Sequence, residues 1–268
     1  MMAKSHLGSL LRSQTMATGR ALVLAVVLTA LTVLGCGALT HRAPDPAPPG
    51  SGGTVPSIRL DSVDNKFDQL QDWARARADK HGIPVRALQA YGYATVVMAK
   101  ARPGCHLGWT TLAGIARIES NHARFGSASI AADGQVRPPI RGVALNGTGG
   151  NAVIIDPTAS VGAERPVYAR AMGPFQFIPD TWNRWGARAS ADYHTLATAI
   201  EHDKPLGSAE LTGNPDNIDD AALAAGRYLC ASGGDLSTAR GWRQAIFAYN
   251  HSNTYVDQVR SAALGYDH

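Results

Sequence analysis

Thr111-Leu112-Ala113-Gly114-Ile115-Ala116-Arg117-Ile118-Glu119-Ser120-Asn121 is the stretch whose spacing decides the fold class. Leu112, Ile115, Ala116 and Glu119 stand at i, i+3, i+4 and i+7, which puts them on one face of a helix. That face is apolar except for the carboxylate. Burying a carboxylate without a partner disfavours its charged form, so the group responds by raising its pKa. A carboxyl that keeps its proton near neutrality can protonate a leaving oxygen, as a general acid for glycoside cleavage must. Spacing alone leaves a second reading open, in which Glu119 sits half-solvated at the helix end and pairs with Arg117 or Arg124.

On either side of this stretch the pattern stays helical. Phe67, Leu70, Trp73, Ala74 and Arg77 follow helical spacing. Pro84 stands where a helix can begin, and Val85, Leu88, Gly92, Thr95, Val96 and Ala99 carry a stripe as far as Arg102-Pro103-Gly104. A short helix is expected to open at Asp180-Thr181-Trp182, after Pro179. Further helices are expected at 217–231, 238–249 and 253–263, the last two capped by Ser237 and Ser252. The expected fold is therefore all-α, with the folded domain at 61–268. Residues 124–170 break the pattern, being rich in Gly, Pro, Asn and Asp, and only Asn151 to Asp156 resembles a short strand. An irregular stretch of this length inside a compact domain marks function or disorder.

The N-terminal part reads as targeting. Lys4, Arg12 and Arg20 precede an apolar run from Ala21 to Leu34, which is shorter than the ~20 residues a membrane-spanning helix needs. Val33-Leu34-Gly35-Cys36 resembles a lipoprotein signal box, which would make 1–35 a signal peptide and Cys36 the lipidated N-terminus. An uncleaved anchor with an incidental cysteine is the alternative. Either way, the rest of the chain is expected outside the cytoplasm, at the outer face of the plasma membrane. Residues 36–60, with Pro44, Pro46, Pro48, Pro49 and Gly50-Ser51-Gly52-Gly53, read as a tether. With Cys36 lipidated, Cys105 and Cys230 are an even pair in an oxidising compartment. A disulfide between them would close a long loop and contribute ~3–5 kcal/mol. Two buried free thiols are the alternative.

Composition sets the outer bounds. The 268 residues are 45 % hydrophobic and 17 % charged, enough for a core, and the formal net charge is +4. A mild basic excess fits an acidic polymer or anionic lipid. No Lys/Arg cluster, zinc spacing or interleaving of aromatic with basic residues points to nucleic acid, which is not expected as a partner.

Three motifs supply a resemblance. Ile115-Ala116-Arg117-Ile118-Glu119-Ser120-Asn121, Ala171-Met172-Gly173-Pro174-Phe175-Gln176-Phe177-Ile178-Pro179 and Ala248-Tyr249-Asn250 occur in that order. They resemble the Glu-Ser, Gly-x-x-Gln and Tyr-Asn motifs of lytic transglycosylases with a lysozyme-like fold. The likeness spans roughly 67–255 and is greatest to the membrane-bound lytic transglycosylase B type in its actinobacterial lipoprotein form; Trp182 agrees with that branch. It implies a lysozyme-like domain in which 124–170 is a long irregular insertion between the catalytic Glu and the Gly-x-x-Gln motif. It also implies cleavage of the N-acetylmuramic acid–N-acetylglucosamine bond of peptidoglycan. Glu119 would protonate the glycosidic oxygen and then, as a carboxylate, take the proton of the muramoyl C6 hydroxyl, leaving a 1,6-anhydro end. The substrate's own N-acetyl group would replace a second catalytic carboxylate. By the same resemblance Ser120 and Gln176 would hold substrate polar groups, and Gly173 would let backbone approach the sugar. Tyr249 and Asn250 would sit beside Glu119, and Tyr91 would stand behind it. No cofactor is implied. Ala191 to Asn217 lacks the tight acidic spacing of the calcium loop some relatives carry, so no metal is expected.

Plainer roles stay open for several of these residues. Gly173-Pro174 could be only a turn, and Tyr249 continues the stripe of Trp242, Ala245 and Ile246 and could belong to the core. Asp156 and Glu164 could approach the cleft or simply be solvated. Two rival functions also stand beside the transglycosylase: a hydrolytic muramidase on the same fold, and a catalytically silent wall-binding lipoprotein.

Overall fold

The computed structural model describes residues 45–62 and 65–268. The expected signal peptide, Cys36 and the first part of the expected tether lie outside the described residues. Those described are mostly helical, with a single two-stranded sheet. The helices are α1 (Gln71–His81), α2 (Val85–Ala101), α3 (Trp109–Ser120), α4 (Pro179–Trp185), α5 (Tyr193–Glu201), α6 (Ala209–Thr212), α7 (Ile218–Gly233), α8 (Ala239–Tyr249) and α9 (Asn253–Leu264). The sheet pairs β1 (Ser129–Ile130) with β2 (Val136–Arg137). No described helix is long and apolar enough to cross a membrane.

The core lies where α2 packs on α7, α7 on α8, and α3 on α9. Helix α2 is buried along most of its length, from Ala87 to Met98, because small and apolar residues occupy almost every turn. Helix α3 reaches α9 closely because Gly114 has no side chain; a Cβ there would lie 2.9 Å from the Val259 carbonyl oxygen. Start positions follow capping chemistry. Asn217 accepts from Asp219 and Asp220 amides, Ser252 accepts from Tyr255, and Thr238 accepts from Gly241. The α8 cap is thus Thr238 rather than Ser237, whose hydroxyl turns back to Asp235. Helices α5 and α6 fall within 191–217, where no helix was expected; α5 buries Tyr193, Leu196, Ala199 and Ile200.

Polar groups on α7 tie the irregular stretches to this frame. Asp219 pairs with Arg86, and Asp220 accepts from the Ala189 and Asn214 amides. Arg227 donates to the carbonyls of Trp185, Gly186 and Lys204. Cys105 and Cys230 form a disulfide, their Cα atoms 5.4 Å apart, which fastens the turn after α2 to α7.

Residues 45–60 correct the tether reading. Gly50 and Gly52 amides donate to the Asp267 carboxylate at 3.1 and 3.0 Å. The Trp109 indole donates to the Gly52 carbonyl at 3.2 Å, and the Arg260 guanidinium to the Ala47 carbonyl at 2.9 Å. Val55 and Ile58 pack on the core, and Leu60 is fully buried. Pro and Gly here shape a strap docked on the domain, because their exposed amides and carbonyls find fixed partners on α3, α9 and the C-terminus. Residues 45–60 accordingly belong with the folded body rather than to a free linker.

The stretch 124–170 is also ordered. After β1 and β2, bridges pair Asn146 with Val153, Ile155 with Tyr168, and Arg141 with Met172, making an irregular β-arm around the short strand expected at 151–156. Its base is clamped by Arg141 on Asp216, at 2.5 and 2.7 Å.

Candidate functional site

Helix α3 ends at the site in an unusual backbone run. Asn121, His122 and Ala123 all take positive φ, so the chain turns sharply away just after Glu119-Ser120. Ser120 is buried, and its hydroxyl does two jobs: it accepts from the Ala123 amide at 2.8 Å and donates to the Pro174 carbonyl at 2.7 Å. The Gly173–Gln176 turn is closed by paired backbone bonds between Met172 and Phe177, of 2.9 and 3.0 Å. Gly173 adopts φ +69°, and a Cβ there would lie 1.8 Å from the Pro215 carbonyl oxygen. At the end of α8, Tyr249 donates to the Phe175 carbonyl at 2.7 Å. The three sequence motifs therefore meet physically, with Ser120 and Tyr249 gripping successive carbonyls of one turn.

Glu119 is partly buried at this junction. Its Oε1 accepts a 2.5 Å hydrogen bond from the Tyr255 hydroxyl on α9, and Oε2 has no hydrogen bond from a described residue. The Tyr255 ring stacks on that of Tyr249, with centroids 6.5 Å apart and planes 2° from parallel. Burial pushes the Glu119 carboxyl up from 4.5 to about 7, against the Tyr255 bond, which favours the charged form. Burial and the nearby Glu119 raise the Tyr255 and Tyr249 phenols, so both stay protonated. Neither Arg117 nor Arg124 pairs with Glu119; their guanidinium groups bond to Asn121, and Arg124 also to the Gly82 carbonyl. A neutral Glu119 can donate a proton through one oxygen while Tyr255 holds the other, and the resulting carboxylate can take a proton back.

The remaining predicted site residues distribute as follows. Gln176, at φ +50°, donates to the Gly173 carbonyl at 2.8 Å. With Tyr249, Tyr228, Thr181 and His251 it lines a hollow of about 210 Å³. Asn250 is exposed directly after α8, and its side chain makes no hydrogen bond to a described residue. Ser120 and Gly173 differ from the expected substrate contacts. Both are buried, and what they approach is protein backbone, at Pro174 and Pro215. Tyr91 likewise does not reach Glu119: it is fully buried, and its hydroxyl meets His122 Nδ1 at 3.1 Å, while His122 Nε2 meets the Tyr266 hydroxyl at 3.0 Å. Burial and the neighbouring Arg124 and Arg117 hold His122 down at about 3, so this chain of three rings is an uncharged brace behind the end of α3. Asp156 caps its own turn at Thr158 and Ala159, and Glu164 is exposed on the arm; neither contacts Glu119. Tyr255 is the residue sequence reasoning missed; its only local cue was its place in the first turn of a helix capped by Ser252.

Among the described residues, no cluster of three or more His, Cys, Asp or Glu side chains is placed to hold a metal ion. No protein-family model, curated protein or solved structure matches this chain.

Proposed function

We propose that this chain is a peptidoglycan lytic transglycosylase on a lysozyme-like domain, exported and lipid-anchored through Cys36. Glu119 protonates the glycosidic oxygen and then accepts the proton of the muramoyl C6 hydroxyl. The observation that carries this reading is the Glu119–Tyr255 pair: one partly buried carboxyl near neutrality, held at one oxygen and free at the other, beside the turn of Gln176. Such a group suits an acid that becomes a base within one cycle, because its pKa lies near the working pH. Tyr249 lies beside it, Gln176 opens on the adjoining hollow, and Ser120, Gly173 and Tyr91 keep the frame rigid.

The test is mass spectrometry of purified peptidoglycan digested by the full chain, with Glu119→Gln alongside. Anhydro-muropeptides released by the wild type and not by the variant are expected. Reducing ends would instead make the chain a hydrolytic muramidase, and an absence of any product would leave a wall-binding protein.

A further inference from the structure

Helix α8 carries a face that the proposed chemistry leaves unused. Arg240, Arg243, Gln244, Phe247 and His251 succeed one another at helical spacing, and with Asp45 and Ala248 they line a cavity of about 370 Å³. Ala248 and His251 also line the hollow beside Gln176 and Tyr249, so the two cavities adjoin along the helix. Arg243 is held in place: it bonds the Asn253 side chain at 2.5 Å and lies 5.8 Å from the Phe247 ring centroid. Its Nε meets the Asp45 carboxylate at 3.2 Å. Arg240, one turn away, is exposed and has no partner among the described residues. A fixed guanidinium beside a free one is a carboxylate-recognition arrangement. One carboxylate, from the chain itself, already sits there.

We propose that the Arg240–Arg243 face of α8 is a subsite for the carboxylates of the acidic peptide stems borne by the glycan, and that Asp45 occupies it in the resting protein. This rests on the glycan-cleaving reading. From Tyr249 to Arg243 is six residues of helix, ~9 Å along the axis. About three extended residues of a peptide branching from a sugar in the hollow span that distance. Asp45 stands at the outer end of the strap, beyond the Gly50 and Gly52 bonds to Asp267, so a stem can displace it while the strap stays docked.

The test compares KM of the full chain on peptidoglycan bearing its stems and on the same glycan stripped of them by an amidase. The wild type is expected to favour the stem-bearing substrate by about 10-fold or more, the lower end of the range for charge-assisted hydrogen bonds. Arg240→Gln with Arg243→Gln should remove the preference, and Asp45→Asn should widen it by about 3-fold or more. Arg240→Gln alone, at a side chain with no partner among the described residues, must narrow the ratio even if Arg243→Gln disturbs folding. Equal KM values in the wild type, or a ratio unmoved by Arg240→Gln, would overturn the subsite and leave the glycan-cleaving reading standing. Failure of the wild type to cleave either substrate would overturn that reading, and the subsite with it.

Discussion

Glu119→Gln should make the folded chain more stable at alkaline pH, even as it removes the acid the chemistry needs. The wild-type carboxyl titrates near 4.5 when solvated and at about 7 when folded. Below 4.5 both states hold the proton, so the group costs nothing. Between 4.5 and about 7 the unfolded chain ionises while the folded chain resists, and stability falls with rising pH; above about 7 the full cost is present. At about 1.4 kcal/mol per pH unit that rise corresponds to about 3.5 kcal/mol, trimmed to about 2–3 kcal/mol because part of the side chain still meets water. Glutamine keeps the shape and leaves an amide oxygen for Tyr255, without the charge. Urea unfolding of wild type and variant at pH 4 and pH 8, with the disulfide intact, reads the difference directly. The variant should gain about 2–3 kcal/mol at pH 8 and close to nothing at pH 4. Equal differences at the two pH values would show that burial does not hold the carboxyl up, and the proton-donor argument would lose its footing.

Other consequences are as concrete. Tyr255→Phe removes the bond that favours the charged carboxylate, so the alkaline limb of the pH–rate profile should move up by about 0.5–1 pH unit, with kcat falling ~10-fold; a downward move would refute the assigned sign. Ser120→Ala strands a buried amide and a buried carbonyl and should lower stability by about 2–3 kcal/mol in denaturant titration. Asp267→Ala frees the Gly50 and Gly52 amides, and limited proteolysis should then cut within 45–53 where the wild type resists. Cys105→Ser should cost about 3–5 kcal/mol in thermal unfolding, the worth of a cross-link closing a long loop.

Much of the frame was legible because helical stripes report burial locally. The spacing of Leu112, Ile115 and Ala116 placed α3, and the Ser252 cap placed α9. The cysteine pair was legible from the even count that remains once Cys36 is set aside. The partner of Glu119 was not, since Tyr255 lies 136 residues away and nothing near either residue announces the pairing. Ser120 and Gly173 were expected to meet substrate, but a motif does not say what its residues touch; here they approach the Pro174 and Pro215 carbonyls, from within the fold. Residues 45–60 misled because Pro/Gly composition describes an isolated chain, whereas Asp267, Trp109 and Arg260 supply partners found only once the chain is folded. Helix α5 escaped because its short apolar stripe is interrupted by His194, Thr195 and Thr198 among scattered acids.

The docked strap also sets the length of the leash. If Cys36 carries lipid, residues 37–44 alone separate it from the folded body. Fully extended, they span about 28 Å, against a radius of gyration of roughly 17 Å for a body of this size. On the lipid-anchored proposal the search for strands would be confined to wall within reach of that anchor, a reach that the docking of residues 45–60 onto the folded body shortens by sixteen residues.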